Sequence, residues 1–287
     1  MNSRWPEIKK ILKYSLLTNG ILSEIKKIFF LITHKNENKN LELSQYQSIV
    51  ELKLTSYNET FSGFIDIVFC ITELYISCQK NKKYLYLNTK NFYYGDWENF
   101  FIPFWSEKEL KKLKQKKIPI EYTPFQGVLT HGVISYLTKY HFSYKNLIQL
   151  NQKTKDKIYC EINQLPKIDL VIHIRCYGGS TPMKKYIKKV DWLLKLFDEE
   201  IKTIFIMTDI YSSFEYFKQY LPNKTVITLC PKYYDGVESN IRGVENLYLL
   251  LKEVEIAKKS KFFIGLNRSQ VSRELIIQER KEHSYVV

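Results

Sequence analysis

The second half of the chain alternates short apolar runs with longer amphipathic stretches, and this alternation limits the possible folds most. Apolar runs with the length of buried strands occupy residues 168–175, 203–209, 225–229 and 261–266. Apolar residues recur at helical spacing over residues 184–200, 212–221, 242–260 and 269–283. Strands that alternate with helices of about ten or more residues indicate a parallel sheet covered on both faces.

The first half shows the same alternation less regularly. Strands are predicted at 47–54 and 83–89, and helices at 1–35 (two, broken at Asn19-Gly20), 63–79, 107–117, 127–140 and 144–165. A length of 287 residues suits about two domains of roughly 150 residues. We therefore predict an α/β protein with one domain over residues 1–160, which includes a helical N-terminus, and a second over residues 161–287.

The positive net charge allows more than one interpretation. Lys+Arg 44 against Asp+Glu 30 gives +14, which suits a polyanionic partner such as nucleic acid. Most of the basic residues are lysines scattered among Asn, Ile and Tyr, which favours a solvated surface without a binding function. The aromatic residues are not clustered as they are in RNA-binding motifs, so no nucleic-acid partner is predicted, although a basic nucleic-acid-binding protein stays an alternative.

The cysteines and the apolar runs bear on the compartment. Five widely spaced cysteines without a CxxC pair indicate free thiols in a reducing compartment, and no His/Cys cluster has the spacing of a metal site. No run reaches the ~20 apolar residues of a membrane span, and no signal peptide is recognisable. We predict a cytoplasmic location with no membrane span.

Polar side chains stand where the predicted strands of the second half end. His173 and Arg175 close one strand, Asp209 closes the next, and Ser269 lies between the last strand and its helix. Ligands of parallel sheets bind at this edge, where a guanidinium and a helix N-terminus suit a diphosphate. The spacing alone supports equally well that Ser269 only caps a helix and that Arg175 pairs with a carboxylate.

Four segments, in collinear order over roughly residues 45–280, resemble one known family. The segments "VIHIRCYGGS", "IFIMTDIYSSFEYFKQYLP" and "KFFIGLNRSQVSRELIIQ" are similar to the three donor-site motifs of the α1,6-fucosyltransferase family and its nodulation relatives. The first-half segment "SGFIDIVFCITELYISCQKNKKYLYLNTKNFYYGDWENFFIPFWSE" resembles that family's glycine loop, helix, strand and Trp-Glu-x-x-Phe-x-Pro stretch.

The resemblance implies a GT-B-like fold, in which two Rossmann-like domains have parallel sheets that face each other across a cleft. It implies that the first domain serves the acceptor and the second binds a nucleotide sugar. The predicted protein is a soluble glycosyltransferase that moves fucose, or a related deoxysugar, from a GDP-sugar to a glycan or glycoconjugate with inversion, without metal or separate cofactor. The alternative is a catalytically inactive relative that binds GDP-sugar or glycan.

The resemblance also implies roles for residues of the three motifs. Arg175 would contact the β-phosphate, and His173 would support the motif strand. Asp209 would stand near the nucleotide, and Ser269 and Gln270 would hold phosphate and fucose.

Three further donor-site residues follow from the same resemblance. Glu253 stands where the family has an Asp that binds guanine or ribose. Trp192 takes the place of a Tyr near the nucleotide, and Gly63 matches the first glycine of the N-terminal loop.

The departures from the family concern the catalytic groups. The family's second arginine is Cys176 here, and the position of its catalytic Glu is Met183. A single Arg followed by glycine is more similar to the protein O-fucosyltransferase branch, so the acceptor linkage stays open. We predict slow transfer or slow donor hydrolysis, with Arg175 as a catalytic residue. Among the first-half carboxylates Asp66, Asp96 and Glu98, we predict Asp96 as the proton acceptor.

Overall fold

The chain contains two compact units, Met1–Asn151 and Gln152–Val287. The computed structural model describes residues 41–55, 64–124, 147–175, 183–234, 243–266, 269, 271, 272, 276 and 283–287. Gly63 and Gln270 lie outside the described residues, as do the helices predicted over 1–35 and 127–140 and most of that over 269–283.

In the part of the first unit that the structure describes, three parallel strands form a sheet. The elements of this part are β1 (Ser48–Thr55), α1 (Phe64–Lys80), β2 (Lys83–Asn91), α2 (Glu107–Gln115) and β3 (Ile120–Pro124). The strand order is β2-β1-β3. The central strand β1 buries Ile49, Val50, Leu52 and Leu54. Apolar residues on both faces of a strand are typical of a covered parallel sheet.

The described part of the second unit has five parallel strands and four α-helices. They are α3 (Gln152–Ile162), β4 (Leu170–Ile174), α4 (Met183–Phe197), β5 (Thr203–Thr208), α5 (Tyr211–Tyr220), β6 (Thr225–Ile227), α6 (Val244–Lys259), β7 (Phe262–Gly265) and β8 (Ser284–Val286). The strand order is β6-β5-β4-β7-β8. From β4 the chain proceeds outward to β5 and β6, and then returns to the other side of β4 with β7. This reversal makes the carboxyl ends of β4 and β7 a topological switch point, where open parallel sheets bind ligands.

Burial explains why the strands of the second unit are continuous apolar runs. Every residue of β4, β5 and β7 is buried. Tyr186, Val190 and Leu193 of α4 and Phe214 and Phe217 of α5 pack on the same core. Burying one large apolar side chain stabilises a fold by roughly 1.5–3 kcal/mol, so this core holds the strand ends in fixed positions.

The predicted mixed α/β class with two parallel sheets is confirmed, and each described unit contains one of them. Two strands were not predicted. β3 ends in a proline and leaves Tyr122 exposed, and β8 has three residues, so neither carries the apolar alternation that identifies a strand.

The helix predicted over 144–165 starts later than predicted, at Gln152. The segment before it lies beside residues 100–102. The Ile102 N–H donates to the Gln149 carbonyl at 2.7 Å, and the Asn151 N–H donates to the Phe100 carbonyl at 2.9 Å. This pairing satisfies backbone groups that a longer helix would have used internally.

The helix α3, within which the predicted boundary at 160 falls, belongs to the second unit. It contacts α6 through polar pairs. Lys252 lies 2.7 Å from a Glu161 carboxylate oxygen, and the Tyr159 hydroxyl donates to Glu255 at 3.2 Å. Within the described part of the chain, no helix has the length and apolarity to cross a membrane.

Candidate functional site

Polar side chains gather at the carboxyl edge of the second sheet. Arg175 follows β4, Asp209 follows β5, and Ser269 and Ser272 follow β7. Because the strands are parallel, their carboxyl ends lie at one edge. We call these residues the carboxyl-edge cluster, together with two residues that the next paragraphs place beside them, His173 of β4 and Glu253 of α6.

Arg175 and Asp209 form the part of the cluster that is open to solvent. The Arg175 Nε lies 4.0 Å from an Asp209 carboxylate oxygen, and their side chains are 31% and 16% exposed. The carboxylate pairing that the sequence left open is therefore present. At this distance it is a long ion pair between partly solvated groups, which holds the guanidinium at the edge with little net stabilisation.

His173 joins β4 to the segment after β7. Its Nδ1 lies 2.6 Å from the Ser272 hydroxyl, which also accepts a hydrogen bond from the Leu266 N–H at 3.1 Å. Burial, and to a lesser degree the nearby Arg175 charge, lowers the pKa of His173 to about 3. The imidazole is therefore neutral, and it binds the two sides of the switch point together.

The contact between His173 and Ser272 depends on a glycine at the end of β7. A Cβ on Gly265 would lie 2.8 Å from the Ser272 Oγ, 2.9 Å from the Ser272 Cβ and 2.6 Å from a ring carbon of Phe263. The glycine therefore allows Ser272 to approach the strand. Neither Gly265 nor Ser272 was predicted as a site residue, although a glycine that ends a strand before a polar segment can signal such a close approach.

Ser269 is fully buried and makes local hydrogen bonds. Its hydroxyl accepts a hydrogen bond from the Ser272 N–H at 3.4 Å, and its own N–H donates to the Leu266 carbonyl at 3.0 Å. A side-chain oxygen that accepts a hydrogen bond from the N–H three residues later is typical of the residue that caps the start of a helix. The Ser269 hydroxyl is therefore bonded to the main chain of the segment after β7, and its role towards phosphate stays a prediction.

Glu253 brings a second carboxyl group to the cluster from α6. Its side chain is buried, and its Oε1 has no hydrogen-bond partner among the described residues. Burial is the main cause that raises the pKa of Glu253 to about 8, Lys252 opposes the rise, and the Asp209 charge adds to it. Glu253 is therefore mostly protonated at neutral pH, and it is close enough to Asp209 for the charge of that carboxylate to act on it.

Trp192 lies apart from the cluster. It stands on the outer side of α4, 42% exposed, and its ring meets the Tyr285 ring of β8 edge-on at 5.3 Å. Two strands, β4 and β7, separate β8 from the strand that Asp209 follows. At about 4.8 Å per strand this is roughly 14 Å across the sheet from Asp209, and the role of Trp192 near the nucleotide stays a prediction.

The predicted proton acceptor belongs to the first unit. Asp96 is exposed, follows β2, and precedes a short 3-10 helix (Trp97–Asn99). Its main-chain carbonyl accepts from the Asn99 N–H at 2.9 Å, and no hydrogen bond of its side chain caps that helix. Glu98 is exposed as well, and the side chain of Asp66 lies outside the described residues.

The aromatic residues beside Asp96 build a core. Trp97 and Phe101 of the Trp-Glu-x-x-Phe-x-Pro stretch are each 1% exposed and contact each other at 4.8 Å between ring centroids. Phe64 at the start of α1 stacks on Phe101 at 5.6 Å. This part of the stretch therefore fixes the loop after β2.

Among the described residues, no group of three or more His, Cys, Asp or Glu side chains is placed to hold a metal ion. The cationic group of the cluster itself is Arg175.

No protein-family model and no curated protein matches the chain. Among solved structures it is similar to the NodZ α-1,6-fucosyltransferase soaked with GDP-fucose, with 11% identity, coverage of 80% of this chain and 91% of that one, and a TM-score of 0.48. The comparison with NodZ from Bradyrhizobium gives the same identity, TM-score and coverage of this chain, and it covers 92% of that chain. It is also similar to POFUT1 in complex with GDP, with 9% identity, coverage of 84% and 98%, and a TM-score of 0.40.

Proposed function

We propose that the chain is a glycosyltransferase that takes fucose, or a related deoxysugar, from a GDP-sugar and transfers it with inversion to a glycan acceptor. The observation that carries the proposal is the convergence of three segments at one switch point. Arg175, Asp209 and Ser272 come from the three segments that resemble donor-site motifs, and they belong to one cluster at the carboxyl edge. Sequence resemblance supplies the choice of GDP-sugar, and the geometry supports a ligand at this edge.

The diphosphate of the donor is proposed to bind Arg175. The guanidinium is partly exposed at the end of β4, and its forked donors match phosphate oxygens. As the bond from sugar to diphosphate breaks, negative charge grows on the leaving phosphate, and a fixed cation there stabilises the transition state. Arg175 thereby supplies the charge that a divalent cation supplies in other enzymes, so transfer is proposed to need no metal.

Glu253 is proposed to bind the nucleoside part of the donor. A buried carboxyl oxygen without a hydrogen-bond partner is costly, and a donor group of a ligand would offset that cost. As a protonated acid, Glu253 also offers an O–H donor. The family position that it occupies, which binds guanine or ribose, supports this assignment.

The acceptor hydroxyl must lose a proton as it attacks the anomeric carbon. At Met183, where the family has a Glu, a partly buried thioether side chain packs on the core of the second unit, so no carboxylate is available there. Asp96 of the first unit is proposed as the base instead. The inactive alternative, a protein that binds GDP-sugar without transfer, is favoured by the same observation at Met183.

Replacement of Arg175 tests the donor site. Arg175→Ala is expected to weaken GDP binding about ten- to a hundredfold in isothermal titration calorimetry, because it removes a charge-assisted fork. Arg175→Lys keeps the charge, so its GDP affinity should lie between those of the parent and of Arg175→Ala. Lys218→Ala removes one charge from an exposed position in the last turn of α5 and should leave the affinity unchanged. Parental GDP affinity in folded Arg175→Ala would refute the donor site.

Replacement of Asp96 tests the proposed base. Asp96→Asn keeps the size of the side chain and removes the proton acceptor, so transfer to a glycan is expected to fall by up to about 10²–10⁴-fold with GDP affinity unchanged. Glu98→Gln, also exposed and two residues away, serves as the matched control. Equal transfer by Asp96→Asn and the parent would refute the assignment. GDP binding without transfer by the parent would establish the inactive alternative.

A further inference from the structure

One face of the second unit exposes large apolar side chains. Of those exposed among the described residues, Trp192 and Leu196 of α4 and Tyr216 and Tyr220 of α5 all lie on these two neighbouring helices, with Leu196 exposed at 56%. We call these four residues, with Tyr285 of β8 and the lysines named below, the α4–α5 face. Large exposed apolar groups that occur together mark interaction surfaces.

Contacts join these side chains into one band. The Tyr216 and Tyr220 rings stack at 6.0 Å, and the Tyr220 hydroxyl donates to Asp191 of α4 at 2.7 Å. The next residue, Trp192, meets Tyr285 at 5.3 Å. The band therefore runs from α5 across α4 to the edge strand β8, and its rings are held by neighbours.

Lysines surround the band. The helix α4 has five lysines and one acidic residue, Asp191. Lys185, Lys188 and Lys195 are exposed at helical spacing from Trp192, so they share its side of the helix. The Lys189 ammonium lies 4.8 Å from the Trp192 ring centroid and 5.1 Å from that of Tyr285.

Two acidic residues after α4 are paired with lysines. Asp198 lies 2.6 Å from Lys224, and Glu200 pairs with Lys261. These pairs are neutral overall, and the five lysines of α4 outnumber its Asp191 and the exposed Glu199 that follows it, so the α4–α5 face stays basic over its apolar groups.

We propose that the α4–α5 face binds the surface of a bilayer that contains anionic lipids. Trp and Tyr rings favour the level of the lipid headgroups, and Leu196 can enter the apolar boundary beside them. Lysine stems extend along apolar surface while their ammonium groups reach anionic headgroups. The face thus combines both signals that stable peripheral attachment needs.

Charge and composition favour this occupant over others. A second copy would place the lysines of one face against those of another, in a chain with a net charge of +14. Nucleic acid would use the lysines, but it offers no apolar medium for Leu196. A bilayer with anionic headgroups satisfies both the lysines and the apolar side chains.

Vesicle sedimentation tests the proposal with the full chain. Binding is expected to phosphatidylcholine vesicles that contain phosphatidylserine, to weaken with added salt, and to be absent with phosphatidylcholine alone. Lys185→Glu/Lys188→Glu/Lys195→Glu should weaken binding by at least about a hundredfold, at about fivefold for each lysine lost. The matched control Lys108→Glu/Lys111→Glu/Lys112→Glu changes the net charge equally on α2, whose leucines are buried, and should weaken binding far less.

Tryptophan fluorescence tests whether the apolar band itself enters the lipid. Of the four tryptophans, Trp97 and Trp105 are buried and Trp192 is exposed, so in a Trp5→Phe background quenching by brominated lipids should require Trp192 and be lost in Trp5→Phe/Trp192→Phe. Trp192→Ser/Leu196→Ser should lose vesicle binding and keep the thermal unfolding temperature of the parent. The proposal is overturned by no binding to anionic vesicles, by equal losses in the two lysine triples, or by quenching that persists in Trp5→Phe/Trp192→Phe. Self-association or DNA binding at the same face that needs no lipid would overturn it as well.

Discussion

Two buried titratable side chains of the carboxyl-edge cluster are held neutral, with opposite effects on stability. The lowered pKa of His173 means that the unfolded chain binds more protons between about pH 3 and 6.5, so its contribution to stability is lost as pH falls through this range. The raised pKa of Glu253 means that the folded chain binds more protons between about pH 4.5 and 8, so its contribution is lost as pH rises. Near neutral pH, the raised pKa of Glu253 changes the free energy of unfolding more than the lowered pKa of His173 does.

Glu253→Gln should therefore stabilise the protein at neutral pH. Glutamine resembles the protonated acid in shape and does not require a proton, so the free energy of unfolding at pH 7 is expected to rise by on the order of 3 kcal/mol. The gain should shrink towards zero as pH falls to about 4.5. Chemical denaturation at several pH values measures it, with Glu245→Gln, at an exposed position of the same helix, as control. A gain that does not depend on pH would contradict the neutral state of Glu253.

The end of β7 is the element on which the switch point depends. Ser272 approaches the strand over Gly265 and satisfies both the Leu266 N–H and the His173 ring. Any side chain at position 265 must displace Ser272 or Phe263, and both are buried.

Gly265→Ala is expected to lower the free energy of unfolding by about 1–3 kcal/mol, the usual cost of overpacking a core, and to weaken GDP binding. Chemical denaturation and calorimetry of the same preparation measure both effects. Ser272→Ala removes the hydroxyl without adding volume, so it separates the loss of the hydrogen bonds from the steric effect. Parental stability of Gly265→Ala would show that Ser272 does not pack against the strand as described.

How far the sequence predicts each element depends on whether local or distant residues decide it. The helix α4 follows from its own periodicity, and Arg175 and Asp209 follow from the rule that parallel strands end at one edge. The contact of His173 with Ser272 joins residues far apart in sequence, and the burial of Glu253 depends on how α6 lies on the sheet. Neither the contact nor the burial can therefore be predicted from the local sequence pattern. The exposure of Trp192, in contrast, can be predicted locally, because its spacing from Lys188 and Lys195 places it on the solvent side of α4.

At the scale of the whole molecule, the two units contribute different features to the proposed function. The second unit contains the whole carboxyl-edge cluster and the α4–α5 face, so donor binding and membrane attachment are both proposed for it. In the first unit, Trp97 and Phe101 are core residues, and Asp96 stands exposed beside them. Part of the resemblance in that half therefore reflects packing, and the chemistry proposed there rests on Asp96.

Calorimetric titration of the unmodified chain with GDP-fucose in buffer that contains EDTA tests the central claim most directly. The account predicts saturable binding that UDP-glucose does not reproduce, since the donor site is proposed to recognise guanosine and to hold the diphosphate through Arg175 without a metal. Absence of GDP-fucose binding, equal binding of UDP-glucose, or binding that appears only after manganese is added would contradict it.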